Sequence, residues 1–348
     1  NRFLKINNLS VDVDDHLAEF IKNFPSYSKA LQSEPISKDN LLNRMDEVHF
    51  KRKLTENQID NLLRLCPLRA AASFSVPGAG KTTEALAFYS YHQENKFSKL
   101  LVISPLNAFS SWDHEIVQCL GAGNSVCRMR GTVNQISTSL RDNPRFMAIN
   151  YESLRSPEKF LLIRNLITEH KDLMVILDES HRAKGEATAE VLLELAPYIQ
   201  KKLILTGTPM PQAPSDLVSQ FSFLYPQEYV PMAEELIYKF EPLYVRTTKN
   251  HLGLMPPIVV PHKVDPYPAF DAFYRNNFVK DLLPGVTLEE MFEVNSFRKA
   301  VLKWIMLLSN PMLKIKEIFT IDPNLALEIE DEGNGAKFDA VVSKAKEL

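Results

Sequence analysis

The sequence has little of what marks several large classes of protein. Three cysteines, Cys66, Cys119 and Cys127, occur in 348 residues, which is too few and too scattered for a disulfide framework. They form neither a Cys-x-x-Cys pair nor a Cys/His cluster with the spacing of zinc ligands. We therefore expect a reducing, intracellular compartment.

Long apolar runs and an excess of one charge are missing too. No run could span a bilayer, and the opening residues NRFLKINNLSVDVDD lack the basic-then-apolar pattern of a signal peptide. The formal net charge is only -3, so contact with a nucleic acid would have to come from a local groove. We expect no membrane partner and a cytoplasmic or otherwise intracellular location. The short spacers between motifs favour a bacterial protein. Because the chain begins with Asn1 rather than Met, we expect a fragment.

What the sequence does have is a regular alternation of two kinds of segment between Leu54 and about Pro226. Short apolar runs bounded by polar or turn residues predict strands: AAASFS, KLLVIS, SVCRM, RFMAIN, LMVILD and KKLILT. Segments between them with apolar residues at helical spacing include KTTEALAFYSYHQ, SWDHEIVQCL and EATAEVLLELAPYI. This alternation predicts an α/β fold with a parallel sheet flanked by helices.

The stretch SFSVPGAGKTT, after the first strand, predicts a phosphate-binding loop. Gly78 and Gly80 let backbone N–H groups approach an anion, and the helix starting near Lys81 points its positive dipole end at it. Lys81 supplies positive charge for the β- and γ-phosphates, and the Thr82 hydroxyl is a ligand for Mg²⁺. The stricter motif has glycine where Ser75 stands.

An acidic pair, Asp178 and Glu179, follows the apolar strand LMVILD. The Asp178 carboxylate would hold the water shell of Mg²⁺, and Glu179 would polarise the water that attacks a γ-phosphate. Either acid alone could be an ordinary strand-end residue. Downstream of a phosphate loop, the pair indicates nucleotide hydrolysis.

Seven stretches resemble motifs of one family. They are KLTENQIDNLL (Q motif), SVPGAGKTT (motif I), LLVISPLNAFSSWDHEI (motif Ia), MAINYESL (motif Ib), LDESHRAK (motif II), LILTGTPMPQAPSDLVSQFSFLYP (motif III) and YVRTTKNHLGLMPPIVV (the Arg-x-Thr-Lys passage). From about Leu54 to its last residue the chain thus resembles the Swi/Snf-type DNA-translocating ATPases of helicase superfamily two. Motifs I and II are shared by many ATPases, whereas Trp112, LTGTP and RTTK are typical of this family. Gln212 stands where asparagine is more usual.

The resemblance implies a nucleotide site with ATP and Mg²⁺ as cofactors. Gln58 would read the adenine, and motif I would surround the phosphates with Pro77, Gly78, Ala79, Gly80, Lys81, Thr82 and Thr83. Motif III would couple the phosphate state to DNA through His181, Thr206, Gly207 and Thr208, with His181 joined to motif III by a hydrogen bond. The two threonines could instead simply hold a strand-end turn.

Duplex DNA is the partner that the resemblance implies. Its backbone would run along motifs Ia and Ib and contact Asn107, Ser110, Asn150 and Tyr151. Capping of a loop is the alternative for each of these residues. Trp112 is expected to be a core anchor beneath the motif Ia helix.

The resemblance also implies a domain order. It consists of a RecA-like ATP-binding lobe over 51–228, a helical or extended linker region over 229–334 and the truncated start of a second RecA-like lobe over 335–348. Before these, apolar residues at helical spacing in DHLAEFIKNF and DNLLNRM predict a helical extension over 1–50. Within the linker region, EIEDEGNGAK is typical of a flexible connection. In this family the second lobe brings arginine fingers, worth about 10³ to 10⁵ in rate, so this fragment alone is expected to be nearly inactive. The extension is a candidate dock for a protein partner.

The predicted function is an ATP-dependent DNA translocase that moves on duplex DNA. One alternative is a strand-separating helicase of a restriction or phage-defence system, which would release a labelled strand from a duplex. The other is a nucleotide-gated scaffold, whose ATPase rate DNA would not change.

Overall fold

The computed structural model describes residues 25–253, 263–265, 267–269, 271–272, 323–331 and 336–347. The chain divides into two compact units that meet in the sequence at Pro256 and Pro257. The first lobe was expected to end at 228, but a strand at Tyr244–Val245 pairs within the sheet of the first unit, so the lobe extends further. Residues 1–24 of the expected helical extension and residues 273–322 of the expected linker region lie outside the described residues.

A parallel sheet of seven strands forms the centre of the first unit. The strands are β1 Ala70–Ser73, β2 Leu100–Ile103, β3 Val126–Arg128, β4 Phe146–Ile149, β5 Met174–Asp178, β6 Lys201–Leu205 and β7 Tyr244–Val245. Their order across the sheet is β3-β4-β2-β5-β6-β1-β7, and every pairing is parallel. All six predicted strands are present, and β7 was not predicted. Continuous apolar runs such as the buried MVIL of β5 suit a sheet that is covered on both faces.

Ten α-helices are described in the first unit. They are α1 Tyr27–Leu31, α2 Lys38–Glu47, α3 Glu56–Leu65, α4 Lys81–His92, α5 Phe109–Leu120, α6 Val133–Arg141, α7 Pro157–Glu169, α8 Glu186–Leu195, α9 Leu217–Leu224 and α10 Ala233–Phe240. Local chemistry sets several starts, since Thr55 and Gln58 form a capping box at α3 and the Ser37 hydroxyl accepts the N–H of Asn40 at α2. The predicted helix DNLLNRM lies in α2, whose buried Leu41 and Met45 join the core of the unit.

Two α-helices are described in the second unit, α11 Pro323–Asp331 and α12 Ala336–Glu347. The stretch EIEDEGNGAK was expected to be a linker, but residues 328–331 complete α11 and residues 336–337 begin α12. Ala326 and Ile329, three residues apart on one helix face, are buried, and this apolar face favours helix over linker despite the acidic composition. Among the residues that the structure describes, no helix has the length and apolar character needed to cross a bilayer.

Candidate functional site

The motifs meet at the edge of the sheet where the parallel strands end, which we call the carboxyl edge. Strand β6 lies between β1 and β5, and its last residue, Leu205, pairs with both Ser73 and Asp178. The loop after β1, the acidic pair after β5 and motif III after β6 therefore leave the sheet side by side. Parallel α/β sheets bind their ligands at this edge.

The loop between β1 and α4, here called the P-loop, has the backbone of an anion cradle. Gly78 and Gly80 have φ values of 85° and 77°, which favour glycine, and α4 begins directly afterwards at Lys81. A Cβ on Gly80 would also lie 2.5 Å from Gln58 Nε2. Lys81 forms no hydrogen bond or ion pair with any described residue, and the first N–H groups of a helix lack intrahelical partners. A loop with these free donors fits a phosphate group.

Gln58 lies against the P-loop with both ends of its amide engaged. Its Nε2 donates to the Gly80 carbonyl at 3.1 Å, and its Oε1 accepts the Thr55 N–H at 2.9 Å. The side chain, only 5% exposed, thus joins the start of α3 to the P-loop. A role in reading adenine stays a prediction.

The two threonines of motif I separate. Thr82 is half-buried and faces a cleft of about 390 Å³ that Ser110 also lines. Thr83 is buried, and its hydroxyl donates to Glu115, whose other oxygen forms an ion pair with Arg52 at 2.7 Å. Thr83, expected among the nucleotide-binding residues, therefore joins α4 to α5.

Ser75, the departure from the stricter motif, has a bonding role. Its buried hydroxyl accepts the N–H of Thr247 from the RTTK stretch at 3.0 Å. The Thr247 hydroxyl accepts from Asn61, which also donates to Glu84 at 2.6 Å. Burial raises the pKa of the Glu84 carboxyl, which lies on α4 directly behind the P-loop. A glycine at 75 could not make the contact with Thr247, and sequence reasoning missed this whole chain of polar residues.

Asp178 is held by two buried aromatic side chains. The Trp112 indole N–H donates to Asp178 Oδ2 at 2.8 Å, and the Tyr151 hydroxyl donates to the Asp178 carbonyl at 2.8 Å. Burial raises the pKa of the Asp178 carboxyl, while the Trp112 hydrogen bond and the charge of Lys81 lower it. Strand pairing places the ends of β1 and β5 at the carboxyl edge of the sheet, so the P-loop lysine and this acid lie at the same edge.

Glu179 leaves the strand in a strained conformation, with a φ of 53° that is rare for a residue with a side chain. Its carboxylate lies 3.3 Å from His181 Nδ1. The same nitrogen shares a hydrogen bond of 2.9 Å with the Thr206 hydroxyl, so the predicted hydrogen bond from motif II to motif III is present. Strain of this kind is often found at functional sites.

Motif III also contacts the P-loop. The Thr208 N–H donates to Thr206 Oγ1 at 3.1 Å, which closes the turn after β6 as the alternative reading of these threonines expects. A Cβ on Gly207 would lie 2.8 Å from Cδ of Pro77, so only glycine allows this close approach. Motif III is therefore bonded to motif II on one side and packed on the P-loop on the other.

Gln220 on α9 is a further member of the site that sequence reasoning missed. Its buried amide accepts the Ser180 hydroxyl at 2.8 Å and donates to the Pro209 carbonyl at 2.9 Å. It thereby joins Ser180 of motif II to Pro209, the last residue of the LTGTP stretch. Its only sequence signal is a lone amide in α9, a helix whose other residues are apolar or serine.

The four expected DNA contacts divide into two pairs. Asn107, in the turn just before α5, and Ser110, in the first turn of α5, are both exposed. Asn150 and Tyr151 are only 7% and 1% exposed. The Asn150 amide is engaged with Glu152 and Ser153, so the capping alternative applies to it, and burial of Tyr151 corrects its expected DNA contact. Trp112 is fully buried, as a core anchor should be.

Comparison with known proteins points to one family. The SNF2-related domain matches residues 75–251, half of the chain. The ATP-dependent DNA helicase DDM1 of Arabidopsis thaliana is 30% identical over 159 residues, which cover 43% of this chain and 20% of that protein. The nuclear protein STH1/NPS1 of Saccharomyces cerevisiae is 28% identical over 155 residues, which cover 43% of this chain and 11% of that protein.

Solved structures include the Sulfolobus solfataricus SWI2/SNF2 ATPase core in complex with dsDNA. It matches with a TM-score of 0.47 at 18% identity, over 76% of this chain and 60% of that chain. The match therefore spans less than two thirds of each of these relatives.

Proposed function

The chain belongs to the SNF2-related domain family, and on that basis we propose that it is the ATP-binding lobe of an ATP-dependent motor that moves along duplex DNA. The observation that carries the proposal is the meeting of motifs I, II and III at one edge of the sheet, where the charge of Lys81 acts on Asp178. A phosphate cradle beside a buried carboxylate is the arrangement that nucleotide hydrolysis requires. An intracellular location goes with this proposal.

The roles of the residues follow from their positions. Lys81 and the N–H groups of the P-loop bind the phosphates of ATP, and the Thr82 hydroxyl and the Asp178 carboxylate are the groups suited to hold Mg²⁺. Bound there, Mg²⁺ would supply positive charge against the phosphate oxygens. The Glu179 carboxylate orients the attacking water and takes its proton, while His181, 3.3 Å away, fixes the direction of that carboxylate.

Coupling to DNA is proposed through motif III. His181 and Thr206 connect the acidic pair to the turn at Gly207, which rests on Pro77 of the P-loop. A change in phosphate state at the P-loop would shift this turn and, with a second lobe, open or close the grip on DNA. Asn107 and Ser110 would contact the DNA backbone, which carries little sequence information.

An ATPase assay tests the proposal on a longer protein that includes a second lobe. Duplex DNA is expected to raise its rate more than single-stranded DNA or RNA does, and the 348-residue chain alone is expected to show negligible DNA-stimulated turnover. Robust turnover by the short chain would contradict the proposal. An ATPase rate in the longer protein that DNA does not change would favour a nucleotide-gated scaffold, and release of a labelled strand would favour a helicase.

A further inference from the structure

Two side chains that the proposed reaction does not use converge on Asp178. Trp112 comes from α5, and Tyr151 comes from the turn after β4, so two separate elements reach the same residue. Trp112 donates to the carboxylate and Tyr151 to the main-chain carbonyl, each at 2.8 Å. The side chain and the backbone of Asp178 are thus fixed independently.

Packing alone does not account for this arrangement. An indole N–H and a phenol O–H buried in a core need an acceptor, and any main-chain carbonyl would satisfy them. Trp112 instead donates to a carboxylate, a bond that is stronger than one to a neutral acceptor and that sets the direction of the carboxylate group. Because Trp112 is fully buried and Tyr151 is 1% exposed, water does not compete for either bond.

We propose that Trp112 and Tyr151 are positioning residues for the magnesium site, holding the Asp178 carboxylate in the orientation that binds the metal beside the P-loop. The inference rests on the proposed function and deepens it, since it assigns a task to the tryptophan of motif Ia and the tyrosine of motif Ib. Hydrogen bonds to a metal-binding carboxylate typically change metal affinity by about 10- to 100-fold when they are lost.

The substitution Trp112→Phe tests this role, because it keeps an aromatic ring in the core and removes the N–H. The measurement is the affinity for a fluorescent ATP analogue, first in EDTA and then across a Mg²⁺ titration. The Mg²⁺ concentration at half-saturation should rise about 10- to 100-fold, while the affinity in EDTA stays within about twofold. Tyr151→Phe should shift the same midpoint in the same direction by a smaller factor, on the order of fivefold.

Tyr225→Phe is the matched control. Its buried hydroxyl also donates to a main-chain carbonyl, that of Ala70, at 2.7 Å, but at the opposite end of β1. It should leave the Mg²⁺ midpoint unchanged, and a shift equal to that of Tyr151→Phe would reduce the effect to general loss of stability and overturn the proposal.

A second readout covers the case in which Trp112→Phe does not fold, which its melting curve would reveal. The chain has two tryptophans, so Trp304→Phe leaves Trp112 as the sole tryptophan, whose fluorescence can be excited selectively at a wavelength that tyrosine does not absorb. The emission of Trp112 should change as Mg²⁺ and the ATP analogue bind. The Mg²⁺ midpoint of this change should equal the midpoint measured with the fluorescent analogue. A silent Trp112 signal, or a folded Trp112→Phe protein with a normal Mg²⁺ midpoint, would overturn the positioning role. A wild-type chain that binds no Mg²⁺-nucleotide would instead overturn the proposed function itself.

Discussion

The two edges of the sheet differ in whether their lysines are paired with carboxylates. At the amino edge, where the strands begin, the Lys201 ammonium is 3% exposed and donates to Asp172, to Glu94 at 2.9 Å and to the His92 carbonyl at 2.9 Å. At the carboxyl edge, Lys81 has no such partner among the described residues, and Asp178 receives hydrogen bonds from neutral donors only.

On the proposed function, this difference separates charges that stabilise the fold from charges that bind a ligand. At the amino edge, the charge of Lys201 is paired with Asp172 and Glu94 within the protein. Removing it should therefore lower the stability of the fold and leave nucleotide binding intact. The carboxyl-edge groups keep their bonding capacity, as functional groups must. Four substitutions test whether the two edges differ in this way.

Lys81→Ala should have the largest effect, the loss of measurable nucleotide binding. Removing one partner of a close charge pair costs about 2 to 5 kcal/mol or more of binding free energy. Calorimetric titration with ATP and Mg²⁺ measures this loss, and the free energy of unfolding without nucleotide should stay within about 1 kcal/mol of wild type. Retained affinity would show that the lysine does not meet the phosphates.

Lys201→Ala should have the reverse profile. Its removal takes the counter-charge from the partly buried Asp172 and leaves a gap where a side chain only 3% exposed was packed. The free energy of unfolding in urea should therefore fall by about 3 kcal/mol, with nucleotide affinity unchanged in the folded protein. The double variant Lys201→Met/Asp172→Leu should recover part of the loss, because it removes both charges together. If the Lys201→Ala protein had normal stability, the ion pairs at the amino edge would not stabilise the fold, and the difference between the two edges would be wrong.

Glu179→Gln should preserve nucleotide binding and slow turnover by about 100-fold or more in a protein that includes a second lobe, the size expected from losing a general base. The exposed acid Glu158 on α7 gives the control Glu158→Gln, which should leave the rate unchanged. If Glu179→Gln turned over normally, the general base would have to be another group.

His92, a half-buried residue at the amino edge whose ring Nε2 is buried, should give the smallest effect. Desolvation lowers its pKa from 6.5 to about 3, with the charge of Lys201 acting in the same direction. Between about pH 6.5 and about pH 3, His92 is therefore protonated in the unfolded chain and neutral in the folded chain. The folded state loses stability as the pH falls through this range. Between about pH 7 and about pH 5 the loss should be about 2 kcal/mol. Urea unfolding at the two pH values measures this loss. The loss of unfolding free energy should be smaller in His92→Leu, whereas His114→Gln, at an exposed position, should lose as much as wild type.

The sequence predicted the strands and the loops at their ends because both depend on local patterns. The strands LMVILD and KKLILT are continuous apolar runs, and the P-loop has glycines at the positions of positive φ. From these, the meeting of Lys81 and Asp178 follows, because the strands are parallel and their ends share one edge.

The hydrogen-bond partners of several site residues could not be predicted, because each pair joins residues that are far apart in the chain. Ser75 bonds to Thr247, 172 positions away, and Trp112 bonds to Asp178, 66 positions away. No local pattern marks such contacts. The same limit explains the error at Tyr151, where a residue at a strand end was expected to face DNA but reaches inward to Asp178.

The most direct test of the central claim is a crystal structure of the chain with Mg²⁺ and a non-hydrolysable ATP analogue. We expect the triphosphate against Gly78, Gly80 and Lys81, with the metal between Thr82 and Asp178. A nucleotide bound elsewhere, or a metal site that excludes Asp178, would contradict it.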